Sequence, residues 1–187
     1  MQNTYTPTER TRLRRKTQRA AYDADTVHAI LDAGLIAHIA YVDDGQAVVT
    51  PTTYWREGGH VYWHGSAAGR ALRVQAQQRV CLTVSMVDGV VLGRSGFTHS
   101  MLYRSVMAFG VPEPVTDAAD KRPAMDAMID GLYPGRTREM RAAHDSELAA
   151  ITVVRLKLEE VSAKVRGGGV IEVPADLGAP CWAGIVP

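Results

Sequence analysis

The segment His64-Gly65-Ser66-Ala67-Ala68-Gly69-Arg70 joins an imidazole to a run of residues without bulk and ends on a guanidinium. Small residues let backbone N–H groups approach an anion, a helix opening at Arg70 adds partial positive charge, and a guanidinium can grip two phosphate oxygens at once. The segment reads either as a phosphate cradle or as an ordinary strand-to-helix turn with a surface arginine. No Gly-Lys-Ser/Thr follows, so it is not a P-loop. His64 is the side chain best suited to proton transfer, because an imidazole titrates near neutrality. A second polar segment carries Arg94, Ser95, Thr98, His99, Ser100, Tyr103, Arg104 and Ser105. That density of directional donors suits a small-molecule or phosphate site. Its alternative is a hairpin connection whose arginines make surface ion pairs.

The remaining reactive side chains are isolated. His38 sits in an apolar run and reads as a core histidine, and His28 and His60 read as exposed. His144 adjoins Asp145, but neighbouring helix positions do not face each other. Cys81 reads as core. Trp63 and Trp182 suit either a core or a flat ring system. No Ser–His–Asp order and no two-histidine metal spacing stands out, and Cys81 and Cys181 form no CxxC pair. Reduced thiols in a cytoplasmic protein are the expectation.

Periodicity sets the framework that carries these groups. Asp23 or Asp25 caps a short helix with Val27, Ile30 and Leu31 on one face and Gly34 as its stop. Residues 35–42 read as a buried strand, Asp43-Asp44-Gly45 as a tight turn, and 47–50 as the partner strand. Pro51 lacks an N–H and cannot donate to a ladder, which limits the strand at that point; 52–55 resume an extended pattern. After the Glu57-Gly58-Gly59 turn, 60–64 is a strand with Val61 and Trp63 on one face and His60, Tyr62 and His64 on the other. A helix runs from Arg70 to about Gln77, with Leu72 and Val74 inward. Strands are expected over 80–87 and 90–94, separated by an Asp88-Gly89 turn, and over 103–111, bounded by Pro112 and Pro114. Met125, Met128, Ile129 and Leu132 mark a helix from about Lys121. A second helical stretch covers 138–147, a strand covers 151–158, and the tail from Gly167 is irregular. Hairpin-linked strands suggest a closed antiparallel barrel with helical decorations and disfavour a doubly wound parallel sheet.

Composition bounds the function. The chain has 187 residues, 46% hydrophobic and 22% charged, which suits one folded domain rather than a disordered chain. A net charge of +1 gives no reason for a nucleic-acid partner, and no apolar run is long enough to span a membrane. Basic residues cluster at Arg10, Arg12, Arg14, Arg15, Lys16 and Arg19. We divide the chain into an arm, 1–21, and a single domain, 22–187. The arm is open to two readings, a solvated segment or one that contacts an anion or wraps a second subunit.

The chain resembles the flavin-nucleotide-binding branch of the pyridoxamine 5′-phosphate oxidase-like split-barrel proteins, which includes the 5-nitroimidazole resistance proteins. The stretches that carry the resemblance run in order from Ala21-Tyr22-Asp23 and 30–34 through Val49-Thr50-Pro51-Thr52 and Trp63-His64-Gly65-Ser66 with Gly69-Arg70. They continue through 87–92, Arg94-Ser95, His99-Ser100-Met101, 103–106, 134–136 and 162–166 to Trp182-Ala183-Gly184. Leu102 departs from the pattern, where relatives often carry Asn. The resemblance implies a mainly β, six-stranded antiparallel split barrel that forms a homodimer with FMN at the interface. Val49, Thr50, Pro51 and Thr52 would run beside the flavin ring. Trp63, His64 and Ser66 would border the ribityl chain and phosphate, and Arg70 would hold the phosphate. Ser105 would approach from the partner subunit or the adjoining strand, and Arg94, Ser95, Tyr103 and Arg104 complete the expected cofactor contacts. The implied function is an FMN-binding oxidoreductase acting on a small molecule, with nitroaromatic reduction as one activity. Its alternatives are a non-catalytic flavin or small-molecule binder, and a haem-binding split barrel with His64 or His99 as axial ligand.

Overall fold

The structure, a computed structural model, describes residues 4–187; the first three residues of the basic arm lie outside the described residues. Ten strands succeed one another as β1 (Ala20–Ala21), β2 (Ile36–Asp43), β3 (Gln46–Glu57), β4 (His60–Ser66), β5 (Val80–Leu92), β6 (Ser100–Gly110), β7 (Glu113–Val115), β8 (Ile151–Lys157), β9 (Glu160–Arg166) and β10 (Gly184–Val186). Four helices intervene: α1 (Ala24–Ala33), α2 (Arg70–Gln75), α3 (Ala118–Leu132) and α4 (Asp145–Ala149). Every strand pair is antiparallel, and the sheet order is β1-β9-β6-β5-β2-β3-β4-β8-β7, with β10 added to β5. The path has two ends, so the barrel is split rather than closed. Ten strands stand where six were expected, the surplus coming mostly from the short pieces β1, β7 and β10.

The inward faces of these strands enclose one core. Ala37, Ile39 and Tyr41 of β2 meet Leu82, Val106, Val154 and Val161, and α1 closes the end with Val27, Ile30 and Leu31. Each large side chain so buried contributes about 1.5–3 kcal/mol. Asp23 caps α1 by accepting from the Thr26 N–H at 2.8 Å. Gly34 ends the helix for a reason of space. Its backbone is extended, with φ −89°, but a Cβ there would lie 2.5 Å from the Tyr54 hydroxyl and 2.7 Å from Val84. That hydroxyl donates to the Leu31 carbonyl at 2.5 Å.

Several expectations are corrected. β2 is half-buried, because a hairpin sheet covers one face and leaves the other open: His38 is exposed and not a core histidine. Cys81 sits opposite Ala40 on the same outward face and is only half-buried. His28 and His60 are likewise half-buried, His28 meeting the Tyr5 hydroxyl at 3.0 Å. Pro51 does not interrupt β3. Asp88-Gly89 is not a turn but a bulge within continuous β5, since β6 pairs on both sides of it. The helix expected over 138–147 is a single 3₁₀ turn, Arg136–Arg138, followed by short α4, because Asp130 takes the Thr137 N–H and hydroxyl at 2.9 and 2.8 Å and folds the chain back. β9 and β10 were not expected as strands. The described part of the basic arm lies against its own chain: Thr8 and Arg10 donate to Glu160 at 2.6 and 3.2 Å, and Tyr22 donates to the Thr11 carbonyl at 3.2 Å.

Helix α3 covers part of the outward face, where Trp55, Val115, Ala124 and Val153 form a second small core. The rest of that face is bare, with Ile36, Val42, Val49 and Met107 exposed by 49%, 50%, 58% and 41%. Among the described residues, no helix is long and apolar enough to cross a membrane.

Candidate functional site

Turn geometry decides which way the main chain of β3 faces. Asp44 and Gly45 take left-handed backbone, with φ 51° and 74°, the mark of a two-residue hairpin loop. The residues flanking such a loop exchange both main-chain hydrogen bonds. Asp43 and Gln46 are that pair, so Val48, Thr50 and Thr52 bond to Tyr41, Ile39 and Ala37. Val42 agrees with this parity: its N–H and C=O meet the Gln78 side chain at 3.1 and 2.7 Å on the opposite flank. The amide groups of Val49, Pro51 and Thr53 therefore face away from β2. At the Gly58-Gly59 loop the same rule pairs Glu57 with His60 and Trp55 with Tyr62, and so turns the amides of His64 and Ser66 toward β3.

Past the last ladder pair those amides do not meet. Pairing between β3 and β4 stops at Tyr54 and Trp63, while β3 continues beside β2 and β4 continues beside β8 to Ser66. Beyond Tyr54 the two strands part, and two main-chain edges face each other across a wedge. Pro51 lies on this edge. Having no N–H, it loses nothing by facing away from β2 and offers β4 no donor.

The expected site residues divide among three places. Val49, Thr50, Pro51, Thr52, His64, Ser66 and Arg70 surround the wedge. Val49 and Pro51 point their side chains outward. Thr50 and Thr52 point inward, the Thr50 hydroxyl donating to Tyr41 at 3.3 Å. Trp63 stands behind the wedge as core: it is 1% exposed, and its Nε1–H donates to Gln75 at 3.0 Å, so its indole is no surface contact. Tyr103 and Ser105 lie on β6, separated from β3 by β5 and β2, so Ser105 does not approach from an adjoining strand. There burial pushes the Tyr103 phenol up, but hydrogen bonds to Arg19 and Lys164 outweigh it and hold the phenol below its ordinary value. Arg104 grips Asp88 through Nε and Nη2 at 2.8–3.1 Å. Arg94 and Ser95 belong to the loop after β5. Arg94 donates to the Cys181 carbonyl at 2.5 Å, and Ser95 accepts from Thr98 and meets His99 at 3.0 and 2.9 Å. Within one chain these polar groups tie the tail and the loop and do not reach the wedge.

The small-residue loop is not itself an anion cradle. Ala67 N–H donates to the Ala150 carbonyl and Gly69 N–H to the Ser66 carbonyl, both at 2.9 Å, and Ala68 N–H meets the Ser66 hydroxyl at 3.3 Å. Gly69 is required by that closeness, since a Cβ would lie 2.9 Å from the Ser66 carbonyl. What remains for an anion is Arg70 and the opening amides of α2. Arg70 is two-thirds exposed and donates to Asp43 at 2.6 Å, linking α2 to the β2–β3 hairpin at the wide end of the wedge.

His64 is half-buried at the parting of the strands. Its ring centroid is 6.1 Å from that of Trp55, and its Nδ1 is buried with no protein hydrogen-bond partner. Burial holds the imidazole below its ordinary value of 6.5. The sequence reading missed Trp55, which stacks on Tyr62 at 5.6 Å and abuts His64, and Asp43, the partner of Arg70. The outward alternation of Tyr62 and His64 was the available signal for the first.

The profile of the pyridoxamine 5′-phosphate oxidase family matches residues 23–165. The chain belongs to this family. Flavocytochrome Anf3 from Azotobacter vinelandii is 42% identical and superimposes with a TM-score of 0.92, over 98% of this chain and 86% of that one. The FAD and heme binding protein from Mycobacterium smegmatis is 35% identical, with a TM-score of 0.86 over 90% of this chain and 83% of that one. A 5-nitroimidazole antibiotic resistance protein from Bacteroides thetaiotaomicron, at 22% identity and a TM-score of 0.65 over 78% of this chain and 86% of that one, shares the fold. No curated protein matches the chain.

The state of His64 is open to test. The unfolded imidazole takes up its proton at a higher pH than the folded one, so its contribution to stability falls as the pH drops through 6.5. Proton NMR should give a His64 midpoint below 6.5, and His64→Gln should flatten the acid-side fall in urea stability. A midpoint at or above the ordinary value contradicts the burial described.

Proposed function

We propose that this protein is an oxidoreductase that binds a flavin nucleotide in the wedge between β3 and β4. The free edge of β3 carries the reading. Val49 presents both N–H and C=O toward the wedge, Thr53 presents its N–H while its carbonyl takes the Thr52 hydroxyl at 3.3 Å, and Pro51 presents C=O alone. The polar edge of a flavin ring alternates carbonyl acceptors with an imide N–H and suits such an edge. A bound flavin supplies hydride or single-electron transfer, while the protein supplies orientation and hydrogen bonding. Arg70 and the first amides of α2 suit the phosphate, with Asp43 giving up the guanidinium. Burial keeps His64 neutral near pH 7, so it acts as a hydrogen-bond partner or proton acceptor rather than as a cation.

The two relatives above 30% identity support the reading, one named a flavocytochrome and the other a FAD and heme binding protein. The resemblance in the sequence points to FMN, and the ring and first phosphate that FMN shares with FAD are the parts the wedge addresses. Likeness to the nitroimidazole resistance protein carries the fold and adds no support for a nitroaromatic substrate. Free thiols at Cys81 and Cys181 suit a cytoplasmic setting.

Arg70→Ala should weaken flavin binding about tenfold to a hundredfold, the equivalent of roughly 1.5–3 kcal/mol for a charge-assisted bond, without unfolding the chain. Flavin fluorescence titration measures it, and an unchanged affinity rejects the phosphate assignment.

The proposal includes a homodimer built on the bare outward face. Four exposed apolar side chains on one flat sheet face make a patch of the kind that two subunits cover, and Tyr103 and Ser105 lie on that face, where a second subunit would bring them toward a wedge. Light scattering should give twice the chain mass for flavin-loaded protein; a monomeric mass contradicts this part.

Haem is the second reading, favoured by the buried, unpartnered Nδ1 of a neutral His64 and by the names of the same two relatives. A neutral imidazole is the ligand form that iron takes. Protein reconstituted with haem should show an intense Soret band that His64→Ala shifts or abolishes. An unchanged band in that variant removes His64 as ligand.

A further inference from the structure

Cations gather on the outward face of β6 and β9 with no acid among them. Val161, Ala163 and Val165 of β9 pack into the core, so alternation turns Lys164 and Arg166 outward. These stand opposite Ser105 and Tyr103 of β6 respectively. Lys164 Nζ lies 5.8 Å from the centre of the Tyr103 ring. Arg19, the residue before β1, joins from the edge of the sheet, and both Arg19 and Lys164 hydrogen-bond to the Tyr103 hydroxyl.

Nothing in the chain neutralises this group. Among the described residues, Arg19, Lys164 and Arg166 enter no ion pair. The charges that act on the Tyr103 phenol are those of Lys164 and Arg19, and no carboxylate opposes them. Asp88 on β5 is spent on Arg104, which alternates to the other face of β6. Arg166 is the sharpest case. It is 5% exposed, and among the described residues its side chain makes one hydrogen bond, from Nη1 to the Met101 carbonyl at 2.7 Å. A guanidinium taken out of water against a single neutral partner is costly, and an anion beside it relieves that cost.

We propose that Arg19, Lys164, Arg166 and the Tyr103 hydroxyl bind the phosphate group of a small molecule. Bonds from charged donors to an anion are the strong kind. A phosphate turns three acceptor oxygens in different directions, which suits donors that come from two strands and the arm. The site is separate from Arg70, since β5 and β2 stand between β6 and β3. It rests on the chain's own uncompensated charge and not on the flavin reading. The phosphate has two possible sources, the second phosphate of a flavin dinucleotide or that of a separate molecule.

The test titrates the full chain, free of flavin, with inorganic phosphate and follows Tyr103 by NMR on ¹³C-labelled tyrosine. Among seven tyrosines, Tyr103→Phe identifies the signal, which should move saturably. Lys164→Gln and Arg19→Gln, at half-buried surface positions that tolerate the change, should each weaken phosphate about tenfold or more. Lys164→Arg should retain most of the affinity. Lys157→Gln, which removes a lysine already paired with Glu159, should leave it unchanged. FAD and FMN then separate the sources. FAD binding about tenfold tighter than FMN, with the margin lost in Lys164→Gln, assigns the site to a dinucleotide's second phosphate. Equal affinities, with inorganic phosphate still bound, assign it to a separate molecule. Phosphate binding without any flavin binding removes the flavin reading and leaves this site standing. No saturable shift with phosphate, an affinity unchanged by Lys164→Gln and Arg19→Gln, or an equal loss with Lys157→Gln each overturns the proposal.

Discussion

The parting of β3 from β4 is the constraint on which the site rests. Two strands joined by a tight loop ordinarily stay paired along their whole shared length, because each unpaired amide is a lost bond. Here the ladder runs for four residue pairs and ends at Tyr54 and Trp63. On the far side of that point the core holds the strands apart. Trp63 is anchored inward by Gln75 and carries β4 toward β8, while Thr52, Thr50 and Val48 keep β3 on β2. Pro51 removes the donor that a continued ladder would use. The split is therefore a consequence of two competing pairings, and its inner surface is a set of amides that face away from β2.

The same alternation that opens the wedge divides the protein into faces of different kinds. Even-numbered residues of β3 up to Thr52 enter the barrel, and odd-numbered ones point out. On the outward side, α3 covers Trp55 and Val153 but stops short of Val49 and His38. Wedge, α3-covered patch and bare patch are thus successive zones of one sheet face. His64 stands at the boundary between the first two, which explains why its ring is half-buried and why its basicity is lowered by loss of water rather than by a neighbouring charge.

Residue order made much of this legible. The Asp44-Gly45 turn, the inward pair Val61 and Trp63, and the α1 stripe of Val27, Ile30 and Leu31 are local signals, and the structure carries each. Where local and tertiary signals compete, the sequence misleads. Asp88-Gly89 has the composition of a turn, yet β6 pairs across it and makes it a bulge. The run 35–42 is apolar but for His38, yet half of it faces outward. His38 follows its strand's alternation and not its neighbours' hydrophobicity. Small residues at 66–69 allow an anion to approach, but the tight loop they form spends its own N–H groups. Arg94 and Arg104 find partners distant in sequence, at Cys181 and Asp88, that no spacing rule supplies.

Under the proposed function, the Arg70–Asp43 pair would let the wedge be both formed and receptive. An exposed ion pair of this kind contributes at most about 1 kcal/mol, whereas a guanidinium bonded to a phosphate contributes roughly 1.5–3 kcal/mol. In the proposed function the arginine would exchange the weaker pairing for the stronger. Asp43 holds the long arginine side chain near the wide end of the wedge beforehand, so less side-chain freedom is lost when an anion arrives. The carboxylate that orients the arginine also repels the anion once it is released, which sets a limit on affinity that a neutral residue at 43 would lift. Orientation and repulsion come from the same group, and the hairpin that fixes the direction of the β3 amides also fixes where that group stands.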